Sequence, residues 1–127
     1  MKLSLVFSCT FLLILALGWS SCGDDDGRDY LAEADCSQVD PLANTYTQSV
    51  KNILDITCAT GGCHDAATAS NGVDLSTYAT ARAAFETKEV LCAINHGENC
   101  EPMPKGGSKL AQSTINTLAC WARNGYP

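Results

Sequence analysis

The chain is predicted to fold as an all-α domain of three to four short helices joined by long loops. Three observations lead there. Apolar residues recur at three- and four-residue steps in several separate stretches, which is the period of one buried helix face. No alternating strand pattern of useful length occurs, and no internal repeat. Residues 97–109 hold three glycines and two prolines without periodicity, as an irregular loop would.

The elements follow in order. Cys36 to Pro41 reads as a loop leading into the domain. From about Ala43 to Thr57, Tyr46, Val50, Ile53, Leu54 and Thr57 make one apolar stripe, so a helix is expected to deliver the chain to position 58. Gly61-Gly62 then stops it and permits backbone conformations closed to other residues. Residues 65–73 are small and polar, with Asn71-Gly72 as a turn signal. Asp74 or Ser76 is expected to cap a short helix running through Tyr78 and Ala81 toward Phe85. A further helix is expected over Thr87 to Ile94, with Val90, Leu91 and Ile94 inward and Asn95, His96 and Gly97 marking its end. The last helix starts near Gln112 or Ser113 and stops at Asn124-Gly125. Its buried stripe is Ile115, Leu118, Ala119 and Ala122, with Trp121 at the margin.

The 127 residues allow one domain plus accessory segments. Lys2 followed by the apolar run Leu3 to Leu17 has the form of a secretory signal, too short for a comfortable membrane span. Residues 1–21 are therefore expected to direct export. Ser20-Ser21 precede Cys22, and Leu17 to Cys22 resembles a bacterial lipoprotein signal, with Trp19 where a smaller aliphatic is usual. That resemblance implies lipidation at Cys22, and several acyl chains suffice for stable membrane anchoring. Residues 22–35 carry Asp24, Asp25, Asp26, Asp29, Glu33 and Asp35 against Arg28 alone, the composition of a flexible acidic tether. From Cys36 to residue 127 charge is nearly balanced, and the net charge of -6 offers no basic footprint for nucleic acid.

Of eight cysteines, Cys9 lies in the signal and Cys22 at its end, which leaves 36, 58, 63, 92, 100 and 120. In an oxidising compartment an even number is expected to pair. Residues 58–65 read C-A-T-G-G-C-H-D. Two thiols followed at once by a histidine are what c-type haem attachment requires: the thiols add to the porphyrin edge and the imidazole reaches the iron from the same side. The usual spacing is Cys-x-x-Cys-His; here it is two residues longer. A Cys58–Cys63 disulfide with His64 exposed is the competing reading, and zinc, which would want four ligands, is a third. The large side chains of residues 36–127 are few, chiefly Tyr46, Ile53, Leu54, Tyr78, Phe85, Leu91, Ile94, Leu118 and Trp121. A small domain with so little core gains from a large apolar cofactor to pack on.

From about Tyr46 to Pro127 the chain resembles small class I cytochrome c domains of exported bacterial lipoproteins. The stretches ILDITCATGGCHDA, GVDLSTY, AINHG, MPKGGSKL and INTLACWARNG carry the resemblance, in the order haem loop, middle helices, Met-Pro loop, C-terminal helix. It implies a cytochrome c-like fold around one covalently attached haem c, with thioethers at Cys58 and Cys63 and His64 as proximal ligand. Met103, between Pro102 and Pro104, is the candidate distal ligand, since a thioether opposite histidine favours reduced iron. His96 is its rival. Cys36, Cys92, Cys100 and Cys120 then allow three connectivities. Cys92–Cys100, pinning the start of the Met103 loop, with Cys36–Cys120, is the expected one. Lys105 and Lys109 are candidates to border the haem edge.

The expected function is single-electron transfer between redox partner proteins at the cell envelope, without enzymatic activity and with an N-terminal lipid anchor in the membrane. A haem-based ligand sensor and a haem-free, disulfide-stapled surface binding module are the alternatives.

Overall fold

The computed structural model describes residues 29–87 and 89–127. The signal, Cys22 and the tether up to Arg28 lie outside the described residues. Four α-helices and two shorter helical turns make up the described regular structure, with no strand among the described residues. The chain is all-α. None of its described helices is long and apolar enough to cross a membrane.

A π-helical turn, Tyr46–Val50, runs directly into α1, Lys51–Thr57. The helix starts later than Ala43 because the amides of Ala43 and Asn44 turn back onto the Asp40 carbonyl at 3.2 and 2.9 Å. Thr45 is extended and caps the turn, its hydroxyl accepting from the Gln48 amide at 3.3 Å. Tyr46, Val50 and Leu54 are buried at four-residue steps.

Helix α2, Tyr78–Thr87, begins with a reciprocal cap. The Thr80 amide donates to the Thr77 hydroxyl and the Thr77 amide to the Thr80 hydroxyl, both at 3.3 Å. Neither expected residue caps this helix. Asp74 instead accepts from the amide and hydroxyl of Ser76, a local turn that short polar side chains favour before a helix. Helix α3 is short, Val90–Asn95, and starts three residues after the expected Thr87. His96 closes it in the left-handed conformation.

Helix α4, Gln112–Arg123, is the centre of the domain and packs on the π-turn, α2 and α3. Trp121 corrects the sequence expectation: it is fully buried, not marginal. Its ring lies 5.9 Å from Tyr46, 5.4 Å from Phe85 and 4.9 Å from Tyr126, centroid to centroid. Its indole N–H donates to the Pro127 carbonyl at 3.0 Å, so burial leaves no polar atom unsatisfied on the ring. The reason is tertiary. With α2 on one side and residues 126–127 folded back on the other, a helix face wider than one stripe is covered.

Cys36 is bonded to Cys120, Cα atoms 5.9 Å apart, and Cys92 to Cys100, 6.0 Å apart. The first ties the start of the domain to the middle of its central helix. Nearby, Arg123 donates to the Ala34 carbonyl at 2.9 Å, so the described end of the acidic stretch lies against α4.

Candidate functional site

Helix α1 ends where its last amides converge on one carbonyl. The Cys58 and Ala59 N–H groups both donate to the Leu54 carbonyl, at 2.9 and 2.7 Å. The chain then makes a turn closed by the Cys63 amide on the Thr60 carbonyl, 3.0 Å. Gly62 sits third in that turn with φ of 84°, the left-handed conformation that glycine adopts without strain. The His64 amide returns to the Cys58 carbonyl at 3.1 Å. The lengthened spacing is therefore taken up by an outward turn, with Gly61, Gly62 and Cys63 exposed, and His64 is brought back beside Cys58.

His64 is fixed at three points. Its amide bonds Cys58, its carbonyl accepts from the Leu75 amide at 2.8 Å, and its ring Nδ1 lies 3.0 Å from the Val73 carbonyl. A carbonyl oxygen only accepts, so Nδ1 carries the proton in that bond. In the neutral ring Nε2 is then left with its lone pair. Such an arrangement, one imidazole nitrogen held by a backbone carbonyl and the other open, is how metal-ligating histidines are commonly oriented.

Two adjoining cavities, of about 170 and 320 Å³, open at this point. Cys58, His64, Ile94 and Met103 line both. The smaller runs inward over Leu54, Leu75, Phe85 and Leu118, and the larger reaches outward past Cys63 to Pro104 and Lys105. Together they fall in the range of roughly 300–1,000 Å³ usual for cofactor and small-molecule sites. The inner walls are apolar. Glu89 and Glu101 stand at the rim.

Cys58 and Cys63 are the two unpaired cysteines among the described residues. Cys58 is half-buried, and burial pushes its thiol pKa up, with the neighbouring Cys63 adding to the effect. A hydrogen bond with the Thr57 hydroxyl, 3.2 Å away, works against that rise. Among the described residues no group of three or more His, Cys, Asp and Glu side chains converges as a metal cluster.

Met103 lines the same cleft from the irregular loop. Its amide donates to the Ala93 carbonyl at 3.0 Å, and its own carbonyl lies 3.1 Å from Nε2 of His96. The rival ligand His96 therefore lines neither cavity of this cleft, and its ring is engaged with the backbone of Met103. Lys105 is on the outer rim, paired with Glu101 at 3.1 Å. Lys109 lines a separate, polar cavity together with His96 and Gln112.

The structure thus brings Cys58, Cys63, His64 and Met103 to one cleft. Sequence reasoning missed the Val73 carbonyl, Leu75 as a wall, and the role of His96. Val73 and Leu75 stand in the GVDLSTY stretch, but a backbone acceptor leaves no residue-type signal. In comparisons with known proteins, no family model matches the chain, and neither a curated protein nor a solved structure matches it.

Proposed function

We propose that the chain is a monohaem c-type cytochrome that passes single electrons between redox partner proteins at the cell envelope. The observation that carries this reading is His64. Its Nδ1 is tied to Val73, and its ring faces cavities that Cys58 and Met103 also line. The donor set fits the group: among the described residues two thiols are left unpaired while four other cysteines are bonded, an imidazole nitrogen is free of the Val73 bond, and a thioether lines the same cleft. A haem c held there supplies one-electron Fe(III)/Fe(II) chemistry.

The chain's own residues perform the rest. Cys58 and Cys63 would hold the group through thioethers, each thiol adding its S–H across a vinyl group of the porphyrin edge. His64 presents Nε2 without reorganisation, since its ring is already anchored. Met103 offers a neutral sulfur, which favours the lower charge of reduced iron. Leu54, Leu75, Phe85, Ile94 and Leu118 exclude water from the inner face. The reading is of a carrier, in which this set exchanges an electron with partner proteins and transforms no substrate.

Export and lipidation at Cys22 complete the proposal. The two disulfides are compatible with an oxidising compartment, and the apolar run before Ser20-Ser21-Cys22 supports a lipid anchor.

The test is expression of the mature chain with a cytochrome c maturation system, followed by acid–acetone extraction and mass measurement. The expected product retains its colour and carries one covalent haem. Extractable colour, or none, overturns the proposal. Carbon monoxide binding by the reduced native protein as readily as by the Met103→Ala variant would point to a ligand sensor instead.

A further inference from the structure

The loop that carries Met103 has no regular structure of its own, yet both polar groups of the Met103 backbone are held by the C-terminal turn of α3. The amide donates to the Ala93 carbonyl at 3.0 Å. The carbonyl lies 3.1 Å from Nε2 of His96. Because that oxygen can only accept, His96 is the donor, and the neutral ring carries its proton on Nε2. This is the opposite tautomer to His64.

His96 reaches this position through an uncommon backbone conformation. It is the C-cap of α3 with φ of 56° and ψ of 43°, and its amide donates to Ala93 at 3.1 Å. The left-handed region costs a residue with a Cβ something that glycine avoids, and such positions persist where the surroundings enforce them. Here the conformation turns the imidazole from the end of α3 onto Met103. The disulfide Cys92–Cys100 bridges the same turn to the start of the loop. Two ties therefore meet at Met103, a third holds the loop three residues before it, and Met103 lines both cavities of the cleft.

We propose that His96 is a positioning residue, whose Nε2–H bond to the Met103 carbonyl holds the methionine sulfur at the iron. The inference rests on reading Met103 as the second axial donor. Losing one such bond raises the population of loops with Met103 displaced by about 3- to 10-fold. An exogenous ligand of reduced iron then binds more tightly by the same factor, since it competes only with the displaced state.

Three variants of the mature holoprotein decide the matter. His96→Asn tolerates the left-handed backbone but is too short to place its amide where Nε2 lies. His96→Gln restores a donor at that reach. Met103→Ala removes the sulfur. The readouts are the sulfur-to-ferric-iron charge-transfer absorption and carbon monoxide affinity of the reduced protein, with urea unfolding alongside. The expected result is a weakened band and about 3- to 10-fold tighter carbon monoxide binding in His96→Asn, both returned toward wild type in His96→Gln. A purely structural role would lower stability without moving band or affinity, and that result overturns the proposal. If wild type and Met103→Ala share band and affinity, the axial reading of Met103 is what has failed, and the proposal falls with it. Should His96→Asn not fold, nitrogen-15 NMR of the wild type decides: an exchange-protected Nε2–H supports the proposal, and an Nδ1–H tautomer refutes it.

Discussion

The Nδ1 of His64 and the carbonyl oxygen of Val73 lie 3.0 Å apart, joining a loop that opens on the end of α1 to a segment nine residues further on. The bond determines which ring nitrogen can serve as a ligand. His64→Ala removes that nitrogen but leaves both thiols. The expected variant still carries covalent haem by mass, has a changed absorption spectrum, and unfolds at lower urea by about 1 kcal/mol for the bond lost at Val73. An unchanged spectrum would remove His64 from its assigned place.

Gly61 and Gly62 are neighbours with opposite tolerance. A Cβ on either meets nothing within 4 Å, so only the backbone distinguishes them. Gly62 has φ of 84° and Gly61 has no positive φ. Gly62→Ala is expected to destabilise the domain by about 1–2 kcal/mol through the left-handed penalty. Gly61→Ala is expected to be neutral or slightly stabilising. Urea unfolding of the two variants checks the difference, and equal losses would contradict the turn described here.

The two disulfides close loops of very different length, with sequence separations of 84 and 8. In the chain-entropy account, removing Cys36–Cys120 costs about 4–5 kcal/mol and removing Cys92–Cys100 about 2–3 kcal/mol. Paired Cys→Ala variants compared by thermal unfolding test the order. The long bridge should matter more. The short one is expected to have the larger effect on the charge-transfer absorption, because it sits at the foot of the Met103 loop.

With its thiol free, Cys58 gives a pH dependence to the chain. Its folded-state pKa is raised above the ordinary 9.0, first by burial and further by Cys63. A group with a raised folded pKa contributes stability that is full below its unfolded pKa and lost as pH climbs through the folded one. The chain should therefore weaken in that alkaline window, and Cys58→Ala should reduce the dependence, leaving the part owed to Tyr46 and Tyr126, whose pKa values burial also raises. Midpoints of urea unfolding across the range provide the measurement. Under native conditions, alkylation should also label the exposed Cys63 before Cys58.

By itself the sequence determined the all-α class, the stretches that became helices, and the candidate residues Cys58, Cys63, His64 and Met103. Helical period and the order Cys-Cys-His before Met-Pro are local signals, and they survive without knowledge of the fold. It did not determine where α1 begins, since that start depends on a turn back to Asp40, nor that α3 starts at Val90 rather than Thr87. Trp121 was misplaced because periodicity describes one helix face, whereas burial depends on what packs around it. Tertiary structure alone decided that the lengthened loop turns outward, that the Val73 carbonyl orients His64, and that His96 bonds the Met103 carbonyl. The reason is common to all three. Each rests on a backbone carbonyl used as an acceptor, and every residue type carries the same carbonyl, so no residue type announces the contact.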